Sequence, residues 1–159
     1  MKRAIAIVSG LLIVLASLVL SVSPVWASES RSTAPAGATV YLITPQDGDV
    51  VSSPFTVKFG LSGMGVAPAG VEKLGTGHHH LLIDLAELPD LDTSLQATDQ
   101  IRHFGGGQTE TIISLPPGEH TLQLLLANYI HVPYNPPVVS EPVTRSEEHT
   151  SELQSPCNL

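Results

Sequence analysis

Between Phe55 and Leu61 the chain reads Phe-Thr-Val-Lys-Phe-Gly-Leu. Side chains of an extended segment alternate between two faces, so Phe55, Val57, Phe59 and Leu61 point one way while Thr56, Lys58 and Gly60 point the other. That is the signature of a half-buried antiparallel strand. Weaker copies of the pattern recur along the chain. Ala38 to Thr44 sets Val40 and Leu42 opposite Tyr41 and Ile43 and runs into the turn Pro45-Gln46-Asp47-Gly48. Further strand candidates are Gly77 to Asp84, Ile101 to Phe104, Gln108 to Leu115, His120 to Leu126 and a segment starting at Val138. Gly105-Gly106-Gly107 supplies the positive φ that a hairpin joining Ile101–Phe104 to Gln108–Leu115 requires. About seven short strands, with turn punctuation and no convincing helix, predict an all-β fold. We expect an immunoglobulin-like antiparallel β-sandwich whose last strand is truncated.

The two ends read differently. Met1-Lys2-Arg3 is basic, Ala4 to Val22 is apolar and uncharged, and Val25-Trp26-Ala27 offers small residues before Ser28. This order predicts a signal peptide over residues 1–27, cut before Ser28, and a periplasmic or secreted product; if the segment is uncleaved, it is the chain's only contact with a membrane. Residues 28–37 are rich in Ser, Ala, Pro and Gly without periodicity, which predicts a flexible leader. The folded domain is expected over residues 38–144. From Arg145 the composition turns polar, and residues 145–155 resemble the in-frame translation of a sequencing-library adapter. Residues 145–159 are therefore expected to be a disordered tail foreign to the domain. The one cysteine, Cys157, falls in that tail, so no redox or disulfide chemistry is built on it.

Residues 38–144 carry Lys58, Lys73 and Arg102 against eleven acidic side chains. Such a balance repels phosphate backbones and excludes nucleic acid as a partner, while it attracts cations. The acidic stretch from Ala86 to Gln100 does not match the ligand spacing of a helix–loop–helix calcium site and reads as a solvated loop.

Coordinating side chains concentrate in Gly77-His78-His79-His80-Leu81-Leu82-Ile83-Asp84. On a strand His78 and His80 share one face about 7 Å apart, and His79 looks the other way. A His-x-His pair supplies two imidazoles to one metal ion. Further ligands are available from His103, at the head of the Gly-rich turn, and His131, in the loop after Leu126. Asp84 adds an oxygen or orients an imidazole, whereas His120 opens a strand after Pro116-Pro117-Gly118 and reads as structural. With one methionine after the signal segment, Met64, and no thiol, a sulfur cage for copper(I) is not available; zinc or copper(II) on imidazoles is the better match. The alternative is that the four histidines hydrogen-bond locally and hold loops.

Four stretches are similar to a known family: Asp49 to Gly60, Gly77 to Asp84, His103-Phe104-Gly105-Gly106-Gly107-Gln108-Thr109-Glu110-Thr111, and Leu115 to Leu124. Together they resemble the bacterial domain of unknown function family 4399 over about residues 39–144. The resemblance implies a small exported bacterial domain and no particular activity. The family often carries a further histidine after the one matched by His131, in a His-x-Pro-His-like segment. Here that position is Tyr134.

Little supports an enzyme. There is no Gly-x-Ser-x-Gly elbow, no nucleophilic cysteine outside the tail and no phosphate-loop lysine after the glycines. A metal-dependent hydrolase would need an open coordination position and a base such as Glu110. The expectation is an exported envelope domain that binds zinc or copper through His78, His80, His103 and His131. The alternative is a non-catalytic immunoglobulin-like interaction module with structural histidines, facing an envelope or extracellular partner not identified from sequence.

Overall fold

The computed structural model describes residues 31–147. The expected signal peptide, the first residues of the leader and the tail beyond Glu147 lie outside the described residues. Among the described residues nine strands follow one another: β1 (Thr39–Thr44), β2 (Val50–Val51), β3 (Phe55–Ser62), β4 (Gly65–Val66), β5 (Thr76–Ile83), β6 (Ile101–His103), β7 (Glu110–Ile113), β8 (Gly118–Ala127) and β9 (Val143–Glu147). They form two sheets, one ordered β1-β3-β7 and the other β2-β9-β8-β5, with the far edge of β5 shared between β4 and β6. The fold is the expected all-β sandwich. Two short pairings, β2 with β9 and β4 with β5, are parallel, and the other strand pairs are antiparallel.

The alternation of β3 determines how the sheets meet. Phe55, Val57 and Phe59 turn inward and Thr56 and Lys58 outward, so the apolar row lies against Leu81, Ile83, Leu122, Leu124 and Leu126 of the facing sheet. Each such side chain withdrawn from water contributes about 1.5–3 kcal/mol. This cluster is what holds the two layers together.

Strand β5 breaks the half-buried pattern, since every residue from Gly77 to Ile83 is buried. Its inward face, with Leu81 and Ile83, belongs to the sandwich core. Its outward face is covered by the loop between β5 and β6, where Leu95 packs with Leu82, Leu125 and Ala127, flanked by Leu85, Leu91, Ile101 and Val139. The stretch expected to be a solvated acidic loop therefore also roofs a second apolar cluster, on the outside of the sheet. Its charged residues face water, as does Leu88, while Leu91 and Leu95 pack toward β5 and β8.

Three further features differ from the expectations. Gly105-Gly106-Gly107 does not close a hairpin: β6 pairs with β5, whereas β7 pairs with β3 in the other sheet. The glycines carry the chain across from one layer to the other, because Ile113 of β7 finds its apolar neighbours in the sandwich core. The leader residues from Arg31 onward are docked. Arg31 donates to the carbonyls of Pro133 and Tyr134, Ala34 N–H donates to the Asn135 carbonyl, and Asn135 N–H donates to the Ser32 carbonyl. Lastly, β9 continues through Arg145, Ser146 and Glu147, pairing with β8 and β2. Strand ladders are made by main-chain groups and accept side chains of many kinds. The buried Arg145 guanidinium lies 3.9 Å over the Phe55 ring.

Candidate metal centre

The two-residue period of β5 puts His78, His80 and Leu82 on its outward face and His79 on the inward one. The His79 ring stands 5.1 Å from Phe59, inside the sandwich. On the outward face the antiparallel register sets His80 directly beside His103 of β6, with rings 5.1 Å apart and 27° from parallel. On the opposite flank His78 faces Ala127 and His80 faces Leu125 of β8. The small side chain of Ala127 leaves room there for an imidazole.

His131 arrives from the turn that follows β8, and Asn128 builds that turn. The buried Asn128 accepts hydrogen bonds through its side-chain oxygen from the N–H groups of Ile130 (3.1 Å) and Val132 (3.0 Å), and its carbonyl accepts from His131 N–H at 3.0 Å. His131 itself has φ of 69°, an uncommon conformation for a non-glycine residue, and its carbonyl accepts from Leu95 N–H at 3.0 Å. A strained residue held by bonds on both sides points its side chain in a set direction. The His131 Nδ1 lies 3.1 Å from His78 Nε2.

Four imidazoles from three stretches of chain thus meet. One ligand atom from each of His78, His80, His103 and His131 lies within 4.8 Å of all the others, and this group can hold a metal ion. A tetrahedron of imidazoles with metal–nitrogen bonds of about 2.0–2.1 Å places ring centroids about 5 Å apart. Here the His78 ring lies 4.8 Å from His80 and 4.9 Å from both His103 and His131. His103 lies 4.5 Å from His131, and the His80–His131 separation of 6.0 Å is the widest. A modest contraction closes the set. His78 and His80 are fully buried, His131 is half-buried and His103 is exposed, so the cluster opens to solvent on the His103 side.

The electrostatics favour neutral rings. Burial, reinforced by the imidazoles of His103, His131 and His79, pushes the His78 ring down to about 4. Burial again, then the rings of His78, His103, His131 and His79, takes His80 down to about 2. His103 is lowered too, by burial and then by His131. Metal ligation requires the unprotonated ring, so near neutral pH His78, His80 and His103 are in the binding form without help. The Nδ1 of His78 and both ring nitrogens of His80 are buried with no hydrogen-bond partner.

The other residues singled out in the sequence stand elsewhere. Asp84, at the far end of β5, accepts from Thr121 N–H at 2.8 Å and pairs with His120 Nδ1 at 2.7 Å, so it orients an imidazole outside the cluster. The second His120 nitrogen faces the Pro116 carbonyl at 2.9 Å, which makes that histidine a fastener of the β7–β8 turn. Glu110 lies on β7 of the other sheet, 3.9 Å from Lys58, and is no base for the cluster. Tyr134 belongs to the sandwich core and donates its hydroxyl proton to the Thr76 carbonyl. Sequence reasoning missed Asn128 and Leu95. An asparagine directly after an apolar strand is a turn signal that could have pointed to the first.

A family model described as Domain of unknown function (DUF4399) matches residues 57–146. The chain belongs to this family. The DUF4399 match runs from within β3 to β9 and includes all four clustered histidines together with Asn128 and Tyr134. No curated protein and no solved structure matches the chain.

Proposed function

We propose that this DUF4399 domain binds one divalent transition-metal ion, zinc or copper(II), through His78, His80, His103 and His131, and that it does so as an exported, non-catalytic domain. One observation carries the reading: four imidazoles from β5, β6 and the β8–β9 connection bring ligand atoms within 4.8 Å of one another. A cluster serving only as local hydrogen-bonding accounts for the His78–His131 contact at 3.1 Å, but it leaves three buried nitrogens of His78 and His80 without partners. Such groups cost about 1–3 kcal/mol each, and a metal ion uses the lone pair of each neutral ring. The donor set is borderline in softness and lacks thiolate and carboxylate, which favours zinc and copper(II) over calcium or magnesium. Glu110, the carboxylate considered as base, pairs with Lys58 on the other sheet, and Asp84, considered as a ligand or orienting group, pairs with His120.

The test is elemental mass spectrometry on the untagged domain after loading with zinc or copper(II) and exhaustive dialysis, beside the His78→Ala/His80→Ala double variant. One equivalent of metal that the folded double variant fails to retain supports the assignment. A wild-type domain that retains no metal refutes it.

A further inference from the structure

We propose that Gly105 is a positioning residue of this metal site, its missing side chain being what allows the His103 ring to stand beside His78, His80 and His131. The inference rests on the metal-binding reading of the four histidines. A Cβ built on Gly105 would lie 2.3 Å from His103 Cε1 and 2.5 Å from His103 Nε2, closer than the 3.0 Å that real contacts respect. Nothing in the backbone demands glycine there, because Gly105 is not among the residues with positive φ. Space alone makes the demand: the two impossible contacts are with a ligand ring, and the next, with Ala69 Cβ, is a tight but possible 3.2 Å.

The clash cannot be relieved by moving Gly105. Its carbonyl accepts from Ala69 N–H at 2.8 Å, and the preceding Phe104 N–H donates to the His79 carbonyl at 3.1 Å. The Phe104 ring is anchored at 4.8 Å from Phe59 in the sandwich core. By contrast, His103 is exposed, at the end of a three-residue strand, and its ring is free to swing outward. A methyl group at position 105 therefore displaces the ring and leaves the fold in place. The neighbouring Gly106 provides a control, since the three atoms nearest to a Cβ there all belong to the flexible Gln108 side chain, the closest at 3.0 Å.

The experiment is a double-mutant cycle on the metal-loaded domain. Zinc affinity is measured by competition with a chromophoric chelator, and copper(II) coordination by electron paramagnetic resonance. Gly105→Ala is expected to weaken zinc binding about 10- to 100-fold, the usual effect of losing a group that orients a ligand, and to alter the copper spectrum. In a His103→Ala background the same change is expected to add less than about threefold, while Gly106→Ala leaves wild-type behaviour. Gly105→Ala with wild-type affinity and spectrum overturns the proposal. So does an equal loss in the His103→Ala background, which would show that the methyl acts through the fold. A wild type that binds no metal sinks the underlying reading itself and is recognised without any variant.

Discussion

Lowering the pH from 7 to 5 should strip stability from the metal-free domain, with His78 and His80 the main contributors and His79 and His103 adding in the same direction. In an unfolded chain an imidazole takes up its proton near 6.5; in the folded domain His78 does so only near 4 and His80 near 2. Both rings are therefore neutral in both states at pH 7. At pH 5 the unfolded chain holds these protons and the folded chain refuses them, which favours unfolding by about 2 kcal/mol per histidine and about 4 kcal/mol for the pair. The contribution is present above about 6.5 and is lost progressively as the pH falls. Set against a usual total of about 5–15 kcal/mol, this is a large share. Urea unfolding followed by circular dichroism, in a chelator at pH 7, 6 and 5, measures it. His80→Leu puts a side chain of similar size beside Leu82 and Leu125 and should remove about 2 kcal/mol of the drop. Stability flat to within about 1 kcal/mol across the window, or a full drop retained in His80→Leu, would refute the argument.

Two further variants separate the cluster from its surroundings. Asp84→Ala removes the acceptor of Thr121 N–H and His120 and leaves alanine at a φ of 54°, so urea unfolding should show a loss of about 2–3 kcal/mol with metal stoichiometry unchanged. Leu95→Ala opens the roof over Leu82, Leu125 and Ala127; it should cost about 2–3 kcal/mol by the same assay and quicken release of zinc to a chelator in stopped flow.

The legible parts of this fold are those governed by one strand at a time. The period of two is a property of the local backbone, so the inward row of β3 and the shared face of His78 and His80 could be read from residue order alone. Which strands pair is decided by surfaces far apart in sequence. Ile101–His103 and Glu110–Ile113 look like two arms of a hairpin, yet they join different sheets, because Ile113 is recruited by the sandwich core and His103 falls into register with His80. The leucines of the β5–β6 loop were masked by their acidic neighbours, since composition averages a segment that has one wet side and one dry side. The geometry of His131 was hidden for a third reason. It depends on the side-chain oxygen of Asn128 and on a main-chain bond from Leu95, neither of which has a period.

A cluster of imidazoles that resist protonation, two of them fully buried, is a liability for the metal-free fold. His78 and His80 resist protonation, and their unpartnered nitrogens are each worth about 1–3 kcal/mol against folding. The same arrangement reverses sign when a metal is bound. A metal that binds the folded chain and not the unfolded one adds about 2.7 kcal/mol at a hundredfold excess over its dissociation constant. It also ties β5 to β6, which share a ladder of three residue pairs, and to the Asn128 turn, and no cysteine among the described residues can staple them instead. Acid and metal then act on one set of nitrogens in opposite directions, the proton from the unfolded side and the metal from the folded side. On the proposed metal-binding reading, the stability of the whole sandwich would be a readout of metal occupancy.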